Sequence, residues 1–200
     1  ASGASVSGVA QEMNAGIELN DSSLVANSGE IVLNGQGSDS NGMGILVHNQ
    51  GLVETLNGSI TLNSSLGSIV LNDGDISCDT GALTVNSQAD CLLSANLRPT
   101  VMLVSTGGAN FTIGRNLTLT SGNTASADVY IGTLTTGNLM QFAVGGNVSL
   151  TSTDAQTYSL IGFGDPTSSA NETGDIIFSH VGGDMVLQGA NSGAGTTGFA

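Results

Sequence analysis

The chain has 200 residues and a formal charge of −14, with Arg98 and Arg115 as its only basic residues, so it repels phosphate backbones and anionic membrane surfaces. Charged residues are 9% against 39% apolar, which excludes the disordered class, and no run of 18 apolar residues exists that would span a bilayer. With 30 Gly and only 2 Pro among abundant Ser, Thr, Asn, Val, Ile and Leu, the composition is that of short strands joined by tight turns.

Residues 1–15 carry Val6, Val9 and Met13 among small residues and read as an N-terminal tail or a first coil. They lack the basic start and long apolar stretch of a secretory signal. From Gly16 a phrase recurs: Gly-x-Ile-x-Leu-Asn or a close variant, at residues 16–20, 29–34, 58–63, 67–72 and 81–86. Each copy is a strand with aliphatics inward at period two. The Gly before it and the Asn after it are expected at corners, because both tolerate φ > 0. Shorter apolar pieces at 23–26, 44–47 and 52–53 lie between copies, and residues 36–42 are the expected protrusion of this half.

Residues 73–100 are less regular. Asp73, Asp75 and Asp79 form the best acidic cluster; calcium takes several oxygen ligands and turn carbonyls could complete the set, while the alternative is a solvated turn. Cys78 and Cys91 either pair, for roughly 3 kcal/mol by loop closure, or remain two buried thiols. Residues 101–104, Val-Met-Leu-Val, read as a strand buried on both sides or a coil junction.

A second phrase fills the rest. Asn-Phe-Thr-Ile-Gly-Arg-Asn at 110–116 returns as Gln-Phe-Ala-Val-Gly-Gly-Asn at 141–147 and, with one residue inserted, as Ile-Phe-Ser-His-Val-Gly-Gly-Asp at 177–184. The closing residues Asn116, Asn147 and Asp184 stand roughly 31 and 37 residues apart, one structural unit per repeat. Tyr130-Ile131-Gly132 answers Leu160-Ile161-Gly162, and residues 122–127 and 164–172 are variable loops. No segment has a helical period with caps.

These repeats predict an all-β chain: a parallel β-helix of about 30 residues per coil with variable loops, occupying 16–200 as one unit and a fragment of a longer solenoid. A β-sandwich is the alternative. In the solenoid Phe111, Phe142 and Phe178 must be neighbours, Ile, Leu and Val stack as interior columns, and Asn and Thr form ladders at corners and on faces. Exposed strand edges at the two ends carry a risk of end-to-end association.

The phrase Gly-x-Ile-x-Leu-Asn, a Gly/Ser/Asn loop, Gly-Ile-x-Val and the phrase again resembles the passenger regions of large bacterial surface adhesins, the filamentous-haemagglutinin-like and autotransporter proteins. The Gly-Gly-Asn-Val-x-Leu-Thr-Ser and Ile-Gly repeats of the second half are similar to the same class. The resemblance implies a right-handed parallel β-helix, export to the bacterial surface with the membrane anchor elsewhere in the parent chain, and an adhesive or spacing role toward a host-cell receptor or surface glycan. It implies no catalytic residues and no cofactor other than the calcium considered above.

Other chemistry is sparse. His48 and His180 have no Cys or His at metal-ligand spacing, and no Gly-x-Ser-x-Gly elbow occurs. Asp165 and Glu172 could pair as carboxylates for glycoside hydrolysis, the basis of an alternative reading as a polysaccharide-active enzyme. Thr118, Thr120, Thr133, Thr135, Thr136, Ser149 and Thr151 would form an ice-binding array only if they shared one face. The remaining reading is a passive stalk. The loops 36–42, 122–127 and 164–172 are the expected contact points of an adhesin.

Overall fold

The computed structural model describes residues 4–9, 15–122, 124, 127–133, 135–154, 156–164, 173–189 and 196–199. Its regular structure is strand throughout, arranged as seven successive coils of three. Coil one holds β1 (Ala4–Val9), β2 (Ile17–Asn20) and β3 (Ser23–Ala26). Coil two holds β4 (Ile31–Gln36), β5 (Met43–His48) and β6 (Leu52–Thr55). Coil three holds β7 (Ile60–Leu66), β8 (Ser68–Asn72) and β9 (Asp75–Cys78). Coil four holds β10 (Leu83–Ser87), β11 (Cys91–Ser94) and β12 (Thr100–Val104). Coil five holds β13 (Ala109–Ile113), β14 (Leu117–Ser121) and β15 (Val129–Thr133). Coil six holds β16 (Leu139–Val144), β17 (Val148–Ser152) and β18 (Tyr158–Phe163). Coil seven holds β19 (Asp175–Val181), β20 (Met185–Gln188) and β21 (Thr196–Phe199).

Each strand pairs in parallel with its counterpart one coil away. The first sheet is therefore β1-β4-β7-β10-β13-β16-β19, the second starts from β2 and the third from β3, with seven strands each. This is the expected parallel β-helix. A sandwich is excluded, because its sheets are antiparallel and the pairings here are parallel. One turn takes 23 residues from Asn63 to Asn86 and 37 from Asn147 to Asp184, so coil length varies while register is kept. Seven strands at the usual spacing make a stack about 29 Å tall.

Inward residues form columns that run through the coils. Leu33, Leu62, Val85, Phe111, Phe142 and Phe178 share one column of the first sheet. Leu19, Val47, Leu71, Leu93, Leu119 and Leu150 share one of the second. The alternation of burial along β4, β7, β10 and β14 shows why the period-two phrase folds as it does: one slip would turn every aliphatic outward. The three phenylalanines stack as expected, with ring centroids 4.6 and 4.8 Å apart and planes 10° and 18° from parallel. Where the chain passes from the first sheet to the second in coil two, a Cβ on Gly35 would stand 2.0 Å from the Gly44 carbonyl oxygen, so only glycine fits that crossing.

Two expectations need correction, and of the two readings of the cysteines one is found. In three of its five copies the Asn that closes the first phrase is not a corner residue: Asn34, Asn63 and Asn86 lie within strands of the first sheet, side chains outward, whereas Asn20 and Asn72 end second-sheet strands at the corner. Positive φ is found, as expected, at Gly29 (92°) and Gly67 (87°) before the phrase, and outside glycine at Asp21 (46°), Asn49 (50°), Gln50 (73°) and Asp73 (54°), at the turn from second to third sheet. Residues 36–42 do not protrude. That loop lies along the corner, with the Gly42 carbonyl accepting from the Ser68 N–H at 2.8 Å, and Arg115 of coil five reaches back to the Ser40 carbonyl (3.1 Å) and Asn41 Oδ1 (3.2 Å). The disulfide is absent. Both thiols are free and buried, because the coil sends Cys91 inward on the second sheet between Ile69 and Leu117 and Cys78 inward on the third between Thr55 and Val104.

Candidate functional site

The outer face of the first sheet carries a ladder of polar side chains. Asn34 Nδ2 donates to Ser7 Oγ (3.5 Å), Asn63 Nδ2 to Asn34 Oδ1 (2.9 Å) and Asn86 Nδ2 to Asn63 Oδ1 (2.9 Å). Thr112 and Ala143 continue the row in the next two coils. Stacking aligns identical positions one strand spacing apart, so each amide satisfies the next. In a chain with 16 acidic residues, β1, β4, β7, β10, β13 and β16 contain no charged residue. Two recesses open on this face in line with the ladder. One of about 390 Å³ is lined by Ser7, Asn34, Gln36 and Asn63, and one of about 190 Å³ by Asn110, Thr112, Gln141 and Ser179.

The carboxylate nearest the ladder is Glu30, whose Oε1 accepts from Thr61 Oγ1 of β7 (3.0 Å). Glu18 and Glu54 lie in strands of the other two sheets, and several aspartates at or beside the turns cap backbone of the next coil. Asp73 Oδ1 accepts from three successive N–H groups, those of Asn96 (2.8 Å), Leu97 (3.1 Å) and Arg98 (3.3 Å). Asp75 Oδ1 accepts from the Val101 N–H (3.2 Å), and Asp128 Oδ1 from that of Tyr158 (3.0 Å). At the corner between first and second sheets, Asp90 Oδ1 takes both the N–H (3.0 Å) and the Nδ2 (2.9 Å) of Asn116. Asn116 Oδ1 accepts from the Asn147 N–H and Asn147 Oδ1 from the Asp184 N–H, each at 2.9 Å. The closing residue of the second phrase is thus a corner clamp, repeated coil on coil.

Burial pushes the carboxyls of Asp75 and Asp128 above their ordinary 3.8, against the pull of the Val101 and Tyr158 N–H groups and, for Asp75, of the Arg98 guanidinium at 3.8 Å. A carboxyl whose pKa is higher folded than unfolded binds its proton more readily folded. Stability therefore falls as pH rises from about 3.8 through the raised values, and is regained on acidification. We expect the thermal midpoint to rise between pH 6 and pH 4. The rise should be smaller in the Asp75→Asn/Asp128→Asn double variant, which keeps both acceptor oxygens. An equal rise in the two proteins would refute the assignment.

The remaining expected site residues are dispersed. Asp73, Asp75 and Asp79 do not assemble a calcium cage: Asp73 faces N–H donors, Asp79 accepts from Ser77 Oγ at 3.3 Å, and among the described residues no three His, Cys, Asp or Glu side chains gather around a common point. His48 Nε2 lies 2.8 Å from Glu18 Oε1 on the outer face of the second sheet. His180 falls at the register shift of β19, opposite Ala143. The Cys91 thiol is pushed up to about 12, first by burial and then by Asp90, which leaves no reactive thiolate. Asp165 and Glu172 lie outside the described residues, as do most of 164–172 and part of 122–127. The threonines make no single array: Thr118, Thr120, Ser149 and Thr151 lie on the second sheet, whereas Thr133 is buried on the third.

The amide ladder is the expected stacking of Asn on a face, and its members are the Asn that end the phrases at 34, 63 and 86; reading the sequence did not say which sheet would carry it. Comparison with protein-family models, with curated proteins and with solved structures gives no match to this chain.

Proposed function

We propose that this chain is a non-enzymatic segment of a secreted or cell-surface adhesin of the bacterial passenger type, a stiff rod that presents its faces and loops to a host-cell receptor or a surface glycan. The observation that favours this reading over an enzyme is the distribution of polar groups. Asp73, Asp75, Asp90 and Asp128 are engaged as caps of backbone N–H groups, and the ladder on the first sheet is uncharged amides and hydroxyls, which bind but do not transfer protons near neutral pH. The rod needs no cofactor in this role, and its charge keeps it away from nucleic acid and from membrane insertion.

Labelled chain incubated with cultured epithelial cells is expected to bind saturably, and shortening residues 38–41 tests whether that loop contributes. Absence of saturable binding to any cell type would leave the passive stalk. Release of reducing ends from a polysaccharide panel would move the reading to the glycan-active enzyme, with Asp165 and Glu172 as the first residues to substitute.

A further inference from the structure

We infer that the outer face of the first sheet is a binding track for a neutral, linear glycan lying along the rod axis. This rests on the adhesive reading above and gives it a face and a ligand chemistry. Four observations carry it.

The first is the ladder itself. Asn34 and Asn63 each engage one Nδ2 hydrogen with the coil before and accept one with Oδ1 from the coil after. An amide has two hydrogens and two lone pairs, so each keeps one donor and one acceptor site for an outside partner. Sugar hydroxyls donate and accept at once, and a polymer repeats them along its length. The track repeats its amides at the strand spacing, about 4.8 Å.

The second is charge. The six strands behind the track carry neither acid nor base in a chain of net charge −14. An anionic polymer would find no cation there, and a basic protein patch would be drawn to the acidic corners instead. The third is the absence of anchors. Protein interfaces concentrate their energy in Trp, Tyr and Arg, whereas the outward row Ser7, Asn34, Asn63, Asn86, Thr112 has none. The fourth is shape. The recess of about 390 Å³ lies over the ladder at Ser7, Asn34 and Asn63 and the one of about 190 Å³ lies beyond Asn86 on the same face, so a chain laid along the row meets both.

Calorimetric titration of the whole chain with cellohexaose, laminarihexaose and chitohexaose, their di- and tetrasaccharides, and heparin tests the inference. At least one neutral hexasaccharide is expected to bind, with affinity rising from dimer to hexamer, and heparin is expected not to bind. Asn63→Leu, which removes the central rung, should weaken binding at least tenfold. Gln36→Ala, at the rim of the larger recess and outside the ladder bonds, should weaken it severalfold with an unchanged unfolding midpoint, and it carries the test if Asn63→Leu fails to fold. No binding by any neutral oligomer, or binding unchanged in both variants, overturns the inference. Cell binding that persists without glycan binding would sink the track and spare the adhesive reading. Glycan binding without cell binding would do the reverse.

Discussion

Phe142→Ala is expected to destabilise the rod by about 3–5 kcal/mol, the range for removing a fully buried aromatic side chain. Phe142 is 0% exposed and stands between Phe111 and Phe178, so the substitution opens a void and also removes two ring stacks, each worth about 0.5–1.5 kcal/mol beyond burial. In a solenoid the loss is local, because each coil is held only by its neighbours. Leu187 of coil seven is 48% exposed, although it continues the column in which Leu150 is fully buried. The variant should therefore unfold in two steps in urea, coils six and seven first. Hydrogen exchange would show lost protection in β16–β20 with β4–β11 unchanged. Phe178→Ala should cost less, because Phe178 is only partly buried. A single cooperative transition with a loss below about 1 kcal/mol would mean that the stack does not hold the coils together.

How much of this was legible beforehand depends on the distance over which each contact is encoded. The strands and their inward faces are written locally, as period-two aliphatics between glycines. The stack of Phe111, Phe142 and Phe178 is written in the repeat itself, because equal positions in a solenoid must meet. So is the clamp of Asn116, Asn147 and Asp184, although its hydrogen-bonding role is not. What the phrase does not encode is the sheet on which it falls. Residues 31–34, 60–63 and 83–86 build the first sheet, whereas 17–20 and 69–72, with the same pattern, build the second. Any inward-facing strand satisfies the same alternation, and only the lengths of the intervening turns decide its place. Ladders of Asn are legible as stacked repeats, but which asparagines share one face follows from that placement and was hidden with it. Arg115 is the extreme case: its contact with Ser40 spans 75 residues, because coils three and four turn tightly at that corner and let the loop at 36–42 lie over them. Local pattern makes such a loop look like a protrusion; only the register of four coils shows that it is strapped down.

Asp73→Ala is the second large effect, and it explains why the acidic cluster looked like a metal site. Asp73 sits at a left-handed corner residue and is 6% exposed. Its carboxylate gathers the N–H groups of residues 96–98, which arrive from 23, 24 and 25 positions further on. Three successive N–H groups wrapped round one oxygen make a concavity that selects an anion and turns away a cation. Removing the acceptor leaves donors unpaired at about 1–3 kcal/mol each when water cannot reach them. Asn96 and Leu97 lie at an exposed turn, so water recovers part of that loss. Alanine at this φ adds roughly 1 kcal/mol of backbone strain. The sum expected is about 3 kcal/mol, with the turn before β12 losing its order. Two further variants separate the causes. Asp73→Asn keeps an acceptor oxygen and tolerates the left-handed backbone, and should cost under about 1 kcal/mol. Asp73→Gly relieves the strain but loses the cap, and should fall between the other two. Urea unfolding of the three gives the order, and equal costs for Asp73→Asn and Asp73→Ala would show that the carboxylate does not organise the turn.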